Sequence, residues 1–584
     1  MIRESPSQVV GEAVPNIDHA VSVSLPTWEA TVGYEEGEDW VVSKMSSGYP
    51  RFFFHPIIQT LSQRVEEKFG RSKEKCMIYP SYDIAKRCRA FIQEKAPQKT
   101  PVRLLQLSTP EPKSEAEKSS VIATTIGVVF FPTSVASLAK NYWQHAGEGI
   151  SSRLAEYLLK TLFDESSSGQ HSIKFNPVDL GASKSELQAK KIQALSPSLS
   201  VRKPRKDENM QESDIHIEQK YGRVLDLKFG DAAKTALRKR ITGGLAEHVQ
   251  QSTDTPLNYE DVYLFSTGMA AIFNAHRALL NSQEPRMSVC FGFPYVDTLN
   301  ILKKFGPGVH FLGMGDDKAL EELEENLENG SYNIMGLFCE CPSNPLLKTP
   351  NLKKIRQLAD KFKFAIVVDD TVANIINVNV MPFADIVVTS LTKIFSGDSN
   401  VMGGSLFLNP NSPMYSSLKQ FFDKDYEDTF WVQDALVMER NSRDYAVRSK
   451  KVNETSLAIV DFLQKSPLIS KVYHPSVSES KKYYDEIKTP NGGYGGLISF
   501  LFHDANDAVS FFNSMDFHKG PSLGTNFTLA CPYTILAHYQ ELDEVEKWDV
   551  DRNLIRISVG IEDKDDIVEV IKFSLDETTK THKL

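Results

Sequence analysis

Short apolar runs separated by helix-like stretches recur through the second half of the chain. The clearest runs are at 262–265, 289–293, 334–339, 364–368 and 385–388. Continuous apolar strands that alternate with helices indicate a mostly parallel sheet covered on both faces. The stretch 349–363 predicts a helix between two of these strands, with Thr349 as its N-cap and Pro350 at its first position.

The same patterns divide the chain into four parts. Residues 1–183 alternate apolar runs with helix-like stretches and predict an N-terminal α/β extension, to which the pattern gives no role. Residues 184–220 are charged and poor in aromatics, so they cannot bury enough apolar surface to offset the entropy lost when a chain becomes ordered. We therefore predict that this stretch is a linker. Residues 221–410 then form the large domain, and 411–584 a smaller C-terminal α/β domain.

Composition narrows the class of protein. With 584 residues, 41% hydrophobic and 24% charged, the chain is typical of a soluble globular protein of several domains. A net charge of -10 argues against a general nucleic-acid binder. No apolar run reaches the length of a membrane span, and the first residues lack the apolar stretch of a secretory signal. We therefore expect small-molecule partners, with neither nucleic acid nor membrane among them.

The number and spacing of the cysteines indicate whether the chain has disulfides or a metal site, and in which cellular compartment it works. The six cysteines show no CxxC spacing, so we expect no disulfide framework, no metal site and mostly buried thiols in a reducing, cytoplasmic setting. The basic run RKPRK at 202–206 could act as a nuclear-localisation signal, although the preferred interpretation is a solvated run of charges in a linker.

Polar residues stand where the predicted strands end, and ligands of open α/β sheets bind at that edge. Gly268 opens a helix whose free N–H groups suit a phosphate. Asp369 ends an apolar run and needs a partner such as a protonated pyridine nitrogen. Lys393 can form a Schiff base, and the hydroxyls of Ser390 and Thr392 suit phosphate oxygens. Taken singly, each of these residues could equally be a helix cap or a solvated residue at a strand end. Together they indicate a pocket for pyridoxal 5′-phosphate.

The segment DIVVTSLTKIFSGDSNVMGG at 385–404 resembles the Schiff-base segment of the Cys/Met-metabolism family of pyridoxal-phosphate enzymes. Six further pieces resemble the family in the same order: YGR, STGMAAI, ECPSNPLL, VVDDT, PSLGT and IRISVGIED. The resemblance covers roughly 215–575 and implies fold type I, with a large and a small domain. The phrases SVSLPTWEATVGYEEG and GYPRFF resemble the fungal cystathionine γ-synthase branch of the family.

The resemblance implies a role for individual residues. Lys393 would hold the cofactor and then shuttle protons, Asp369 would face the pyridine nitrogen, Asn344 would lie near the phenolic oxygen, and Tyr295 would stack on the ring. Arg556, helped by Ser522, would clamp the substrate carboxylate. Four residues would hold the phosphate: Gly268, Met269, Ser390 and Thr392.

A Tyr-x-Arg pair is implied to reach the phosphate of a neighbouring subunit, which makes the active unit a homodimer or homotetramer. Tyr221 and Arg223 are preferred for this pair because a helix-like stretch follows them, and Tyr49 with Arg51 is the rival pair.

Four positions depart from the family pattern. Asp398 and Asn400 replace its His and Asp, Asp370 replaces its Asn, and Thr525 stands where glycine is usual. None of these removes a catalytic group.

The implied reaction is γ-replacement, which forms cystathionine from an O-acylhomoserine and cysteine. The same motifs serve a cystathionine β- or γ-lyase and an O-acylhomoserine sulfhydrylase. A regulatory homologue with weakened chemistry stays open as well. The sequence does not choose between acetyl and succinyl donors.

Overall fold

The computed structural model describes residues 6, 8–50, 52–96, 100–163, 226–249 and 257–581. The predicted linker 184–220, Arg51 and the pair Tyr221 and Arg223 lie outside these residues. In the described part of the chain no helix is long and apolar enough to cross a membrane.

The first described segment adds two short strands and two helices to the body of the protein. They are β1 Ala13–Val14, β2 Ser22–Val23, α1 Trp28–Glu36 and α2 Asp39–Val42. Their apolar side chains, such as Val23 and Tyr34, share a core with Leu497 and Cys531 of the C-terminal domain. This segment therefore packs with the C-terminal domain, although it is nearest in sequence to the following α/β unit.

That next unit, which we call the N-terminal unit, spans residues 56–163. Its elements are α3 Pro56–Phe69, β3 Glu74–Tyr79, α4 Tyr82–Lys95, β4 Arg103–Ser108, β5 Thr125–Pro132, α5 Ala136–Ala146 and α6 Ser152–Leu158. The strands form an antiparallel sheet in the order β3-β5-β4. The six central residues of β5 are buried, in keeping with the apolar runs that the sequence shows in this part of the chain.

The large domain is built on a seven-stranded sheet in the order β6-β12-β11-β10-β9-β7-β8. Its strands are β6 Val262–Phe265, β7 Met287–Phe291, β8 Val309–Leu312, β9 Ile334–Glu340, β10 Ala365–Asp369, β11 Ile386–Ser390 and β12 Gly404–Leu408. β12 runs antiparallel to both of its neighbours, β11 and β6, and the other neighbouring pairs of this sheet are parallel. The helices are α7 Gly230–Val249, α8 Gly268–Ser282, α9 Val296–Lys304, α10 Asp317–Glu328 and α11 Leu352–Phe362.

Alternate residues of one strand belong to different cores. Ile366 and Val368 of β10 pack in one core, and Ala365 and Val367 pack in the other. A strand buried on both faces reads as a continuous apolar run, which is why the sequence pattern located it. The mostly parallel, doubly covered sheet predicted for this domain is confirmed.

The C-terminal domain carries a five-stranded sheet in the order β13-β14-β17-β16-β15. Its strands are β13 Ile469–Tyr473, β14 Leu497–Phe502, β15 His518–Lys519, β16 Leu529–Pro532 and β17 Ile555–Ser558. The helices after β12 are α12 Tyr415–Asp425, α13 Val432–Asn441, α14 Tyr445–Gln464, α15 Lys481–Ile487, α16 Ala505–Ser514, α17 Tyr533–His538, α18 Leu542–Glu546 and α19 Lys564–Thr581. The first two of them, α12 and α13, pack into the cores of the large domain through residues such as Phe422 and Met438.

The predicted N-cap at Thr349 is wrong. Helix α11 starts at Leu352, and Asn351 caps it by accepting a hydrogen bond from the backbone N–H of Lys354 at 3.0 Å. The backbone N–H of Thr349 instead donates to the Ser480 hydroxyl at 2.8 Å. Thr349 thus contacts the C-terminal domain outside the helix, which starts later than the local pattern predicts.

Candidate active site

The carboxyl ends of the central strands open into one cavity of about 200 Å³. Glu340, Asp369 and Ser390 each end a strand and line it. The C-terminal domain contributes Arg556 to the wall, and the first described segment contributes Tyr49. The cavity therefore lies where these parts of the fold meet.

Lys393 follows β11 by three residues and is 7% exposed. Its Nζ lies 3.0 Å from the hydroxyl of Tyr49 and 3.0 Å from the hydroxyl of Ser522. The same Nζ lies 4.7 Å from the centre of the Tyr49 ring. Two hydroxyls thus hold the amine inside the cavity, in a position to react with an aldehyde and then to move protons.

The turn at the start of α8 has the geometry of a phosphate seat. Thr267 caps the helix by accepting from the backbone N–H of Ala270 at 3.0 Å, which leaves other first-turn N–H groups facing the cavity edge. A Cβ added at Gly268 would lie 2.7 Å from the Cβ of Ser390. Only glycine allows this turn to approach the end of β11 so closely.

Ser390 and Thr392 both line the cavity beside this turn. The Thr392 hydroxyl is also engaged by the backbone of Gly403, donating to its oxygen at 3.3 Å and accepting from its N–H at 3.1 Å. Its orientation is therefore fixed by the start of β12.

Asp369 and Glu340 are neighbouring carboxyls at adjacent strand ends. Burial raises the pKa of both groups, and the charge of Asp369 further raises the pKa of Glu340. Asp369 accepts from the backbone N–H of Thr371 at 2.9 Å, and no basic side chain among the described residues pairs with it. A buried carboxyl of this kind is suited to a protonated ring nitrogen.

Glu340 also holds two other site residues in place. One carboxylate oxygen accepts from the backbone N–H of Tyr295, and the other accepts from that of Asn344 at 3.1 Å. The Tyr295 hydroxyl donates to the Met269 sulfur at 3.5 Å. Tyr295 therefore lines the cavity beside the first turn of α8.

Arg556 projects from β17 and is 5% exposed. Its Nη1 donates to the Asn344 side-chain oxygen at 3.0 Å, and its Nη2 donates to the Ser522 backbone oxygen at 2.7 Å. Its guanidinium carbon lies 4.7 Å from the centre of the Tyr533 ring. These contacts fix the planar fork, a geometry that suits bidentate binding of a carboxylate.

The segment after Lys393, which departs from the family pattern, is tied to the loop that carries Ser522. Asp398 accepts from the Asn526 side-chain amide at 2.6 Å, and burial raises the pKa of this carboxyl. Asn400 accepts from the Asn441 amide at 2.9 Å, and its backbone oxygen accepts from Arg153 at 2.8 Å. Thr525, at the fourth departure, donates to the Phe527 backbone oxygen at 2.5 Å.

The structure brings together the predicted residues that it describes, and it adds residues that sequence reasoning missed. The sequence offers Tyr49 only as part of a phosphate-binding pair, yet its hydroxyl contacts the amine of Lys393. The sequence gives Glu340 no role of its own, although a buried acid at a strand end is a usable signal. The preference for Tyr221 and Arg223 stays a prediction, because both lie outside the described residues.

No cluster of metal-ligating side chains occurs among the residues that the structure covers. All six cysteines are buried and unpaired.

Two family models match the chain. The model of the Cys/Met metabolism PLP-dependent enzymes matches residues 234–576. The model of the fungal trans-sulfuration enzyme N-terminal domain matches residues 57–151, which fall within the N-terminal unit.

Curated relatives match over nearly the whole length. Cystathionine gamma-synthase of Neurospora crassa is 44% identical, covering 97% of this chain and 98% of that protein. Cystathionine gamma-synthase of Saccharomyces cerevisiae is 41% identical, covering 98% and 99%. A solved structure of cystathionine gamma synthase from Xanthomonas oryzae pv. oryzae in complex with cystathionine has a TM-score of 0.50 at 22% identity, covering 60% and 86%, which shows a shared fold.

Proposed function

Because the chain belongs to the Cys/Met metabolism family of PLP-dependent enzymes, we propose that it catalyses γ-replacement, joining cysteine to an O-acylhomoserine to give cystathionine. The observation that carries the proposal is the full-length similarity to two fungal cystathionine gamma-synthases. The arrangement around Lys393 supports it, because one cavity combines the Lys393 amine with the fixed guanidinium fork of Arg556.

The residues present fit pyridoxal 5′-phosphate. Gly268 and Met269 offer backbone N–H groups to its phosphate, Asp369 offers a buried carboxyl to its ring nitrogen, and Lys393 offers the amine to its aldehyde. When bound, the cofactor supplies an electron sink for the carbanion formed at the substrate α-carbon.

The substrate carboxylate binds Arg556, which directs the α-C–H bond toward Lys393. Lys393 Nζ takes the α-proton, and a second proton leaves the β-carbon as the acyl group departs as a carboxylate. The cysteine thiolate then adds at the γ-carbon, and protons return to the β- and α-carbons. Between these proton transfers, the hydroxyls of Tyr49 and Ser522 hold the Lys393 amine in position.

A substrate screen tests the proposal. Purified protein is supplied with O-acetylhomoserine or O-succinylhomoserine, each with cysteine or with sulfide, and separately with cystathionine alone. We expect the fastest turnover with an acyl donor and cysteine, and loss of that turnover in Lys393→Ala. Faster breakdown of cystathionine alone would identify a lyase, and a preference for sulfide would identify a sulfhydrylase. Cofactor absorbance without turnover on any of these substrates would identify a regulatory homologue.

For compartment and assembly, we propose a cytoplasmic homodimer or homotetramer, with no nucleic acid or membrane partner. Six buried, unpaired cysteines support a reducing compartment. The basic run at 202–206 keeps a nuclear fraction within the proposal. Cell fractionation and sedimentation of the purified protein test these two points, and a membrane-bound pool or a monomer that retains full activity would contradict them.

A further inference from the structure

A four-residue segment of the N-terminal unit, 145–148, contacts the helices that frame the cofactor pocket. His145 lies at the end of α5, Gly147 is its C-cap, and Glu148 follows. His145 contacts α9, Gly147 contacts the turn before α8, and Glu148 contacts α8 itself. This segment is more than 100 residues away in sequence from every one of those contacts.

The backbone oxygen of Gly147 accepts from both hydroxyls of the turn that precedes α8. The Thr267 hydroxyl donates to it at 2.9 Å, and the Ser266 hydroxyl donates at 3.3 Å. Thr267 is also the N-cap of α8, so the bond to Gly147 fixes the rotamer of the capping side chain. The position of the first N–H groups of α8 therefore depends on an atom of the N-terminal unit.

Gly147 can reach this turn only because it has no side chain. Its φ is +65°, in the left-handed region that favours glycine. A Cβ would lie 2.6 Å from the Met269 Cβ, 2.6 Å from the Thr267 hydroxyl oxygen and 2.9 Å from the Ala270 nitrogen. Two of these atoms belong to the first turn of α8, so the substitution would displace that turn.

Two buried polar side chains, Glu148 and His145, hold the segment against the helices on either side. The Glu148 carboxylate pairs with Arg87 at 2.7 Å, accepts from Tyr142 at 2.8 Å, and accepts from the Asn274 amide of α8 at 3.3 Å. His145 lies 3.0 Å from the Asp297 carboxylate, two residues after Tyr295. The segment is thus anchored to α8 and α9 independently of the Gly147 contact.

We propose that Gly147 is a positioning residue for the cofactor phosphate, through which the N-terminal unit sets the geometry of the α8 turn. The inference rests on the cofactor of the proposed function and goes beyond it, because it gives the N-terminal unit a task in cofactor binding. It predicts that the phosphate-dependent part of cofactor affinity is lost when the segment is disturbed, while binding of the ring is kept.

The test compares two ligands that differ only in the phosphate. Full-length protein stripped of cofactor is titrated with pyridoxal 5′-phosphate and, separately, with pyridoxal, followed by visible absorbance. For Gly147→Ala we expect affinity for pyridoxal 5′-phosphate to fall by about 10- to 100-fold, the scale of losing well-placed hydrogen bonds to a charged group. Affinity for pyridoxal should change by less than about twofold.

Gly37→Ala is the matched control, because Gly37 is also a left-handed helix C-cap, with φ +73°, and does not line the cavity. It carries the same backbone strain and should bind both ligands as the wild type does. Unchanged affinity of Gly147→Ala for pyridoxal 5′-phosphate would overturn the proposal. Equal losses for both ligands would overturn it too, since they would indicate general damage to the pocket.

Asn274→Ala gives a second test if Gly147→Ala folds poorly. It removes the amide that joins α8 to Glu148, while Arg87 remains paired with that carboxylate. Its control is Asn281→Ala, on the exposed side of the same helix. Among the described contacts, the Asn281 amide makes a single hydrogen bond, to the backbone oxygen of the residue four positions earlier. We expect a selective loss of pyridoxal 5′-phosphate affinity in Asn274→Ala alone, and equal behaviour of the two variants would contradict the inference. Because the readout is cofactor affinity, a different substrate preference leaves the result unaffected.

Discussion

The stability of this protein should depend on pH through Asp370, one of the four departures from the family pattern. Asp370 directly follows the last residue of β10, Asp369, and is fully buried. One carboxyl oxygen accepts from the Thr389 hydroxyl at 2.5 Å, and the other has no hydrogen-bond partner in the described part of the structure. Burial, with a contribution from the charge of Asp369, raises the pKa of Asp370 to about 7.

The sign of the effect follows from proton linkage. An unfolded chain ionises this aspartate near its ordinary pKa of 3.8, whereas the folded chain keeps it protonated up to about pH 7. The folded state therefore binds more protons between these values, and its stability falls as the pH rises through that window. At about 1.4 kcal/mol per pKa unit, the full effect over the whole window is roughly 4 kcal/mol, and most of it falls between pH 4.5 and pH 8.

Asp370→Asn removes the titration and keeps an acceptor for Thr389. The free energy of unfolding of the variant, relative to wild type, should therefore rise by roughly 3–4 kcal/mol between pH 4.5 and pH 8. At a urea m-value of ~3 kcal/mol/M this is a relative shift of about 1 M in the unfolding midpoint. Asp543→Asn, whose side chain is 96% exposed, is the control and should show no such trend. A variant-to-wild-type difference that stays constant over this range would refute the reasoning.

Three further substitutions test the site and its support. Arg556→Lys keeps the charge but loses the planar fork, so KM for the acyl donor should rise about 10- to 100-fold, and a fall in kcat alone would argue against a carboxylate clamp. Tyr49→Phe removes one hydroxyl partner of Lys393, so kcat should fall about 10-fold or more with cofactor absorbance retained, and wild-type kcat would show that Ser522 suffices to hold the amine. Arg153→Met leaves the buried Asp434 without its ion-pair partner at 3.2 Å, so the free energy of unfolding measured in urea should fall by about 3–5 kcal/mol. An unchanged free energy of unfolding would show that this pair does not hold the N-terminal unit in place.

The sheet of the large domain was predictable because its strands are buried on both faces. The apolar runs located β6, β7, β9, β10 and β11 to within two residues at each end. The errors fall at the ends, where Asp369 and Ser390 belong to strands although both are polar. Pairing with the neighbouring strand decides those ends, and periodicity within a single strand carries no information about the partner.

The candidate site was predictable only where residue types mark the strand ends. Lys393, Asp369 and Asn344 stand in short motifs whose chemistry can be read locally. The contact between Tyr49 and Lys393 joins residues 344 positions apart. Nothing near either residue predicts that distance, because it arises from how separate parts of the fold pack together.

The conformation of Ser522 shows how closely these parts depend on one another. Its φ of +106° is unfavourable for a residue with a Cβ and costs about 1–3 kcal/mol. The surrounding contacts sustain it: its oxygen accepts from Arg556, its hydroxyl meets Lys393, and the preceding Pro521 oxygen accepts from the Ser22 hydroxyl. Because Ser22 belongs to β2, the first described segment helps to fix the loop that holds both the guanidinium fork and the amine. Ser22 and Tyr49 of this segment are therefore part of the active-site structure, although the sequence pattern grouped them with the N-terminal extension.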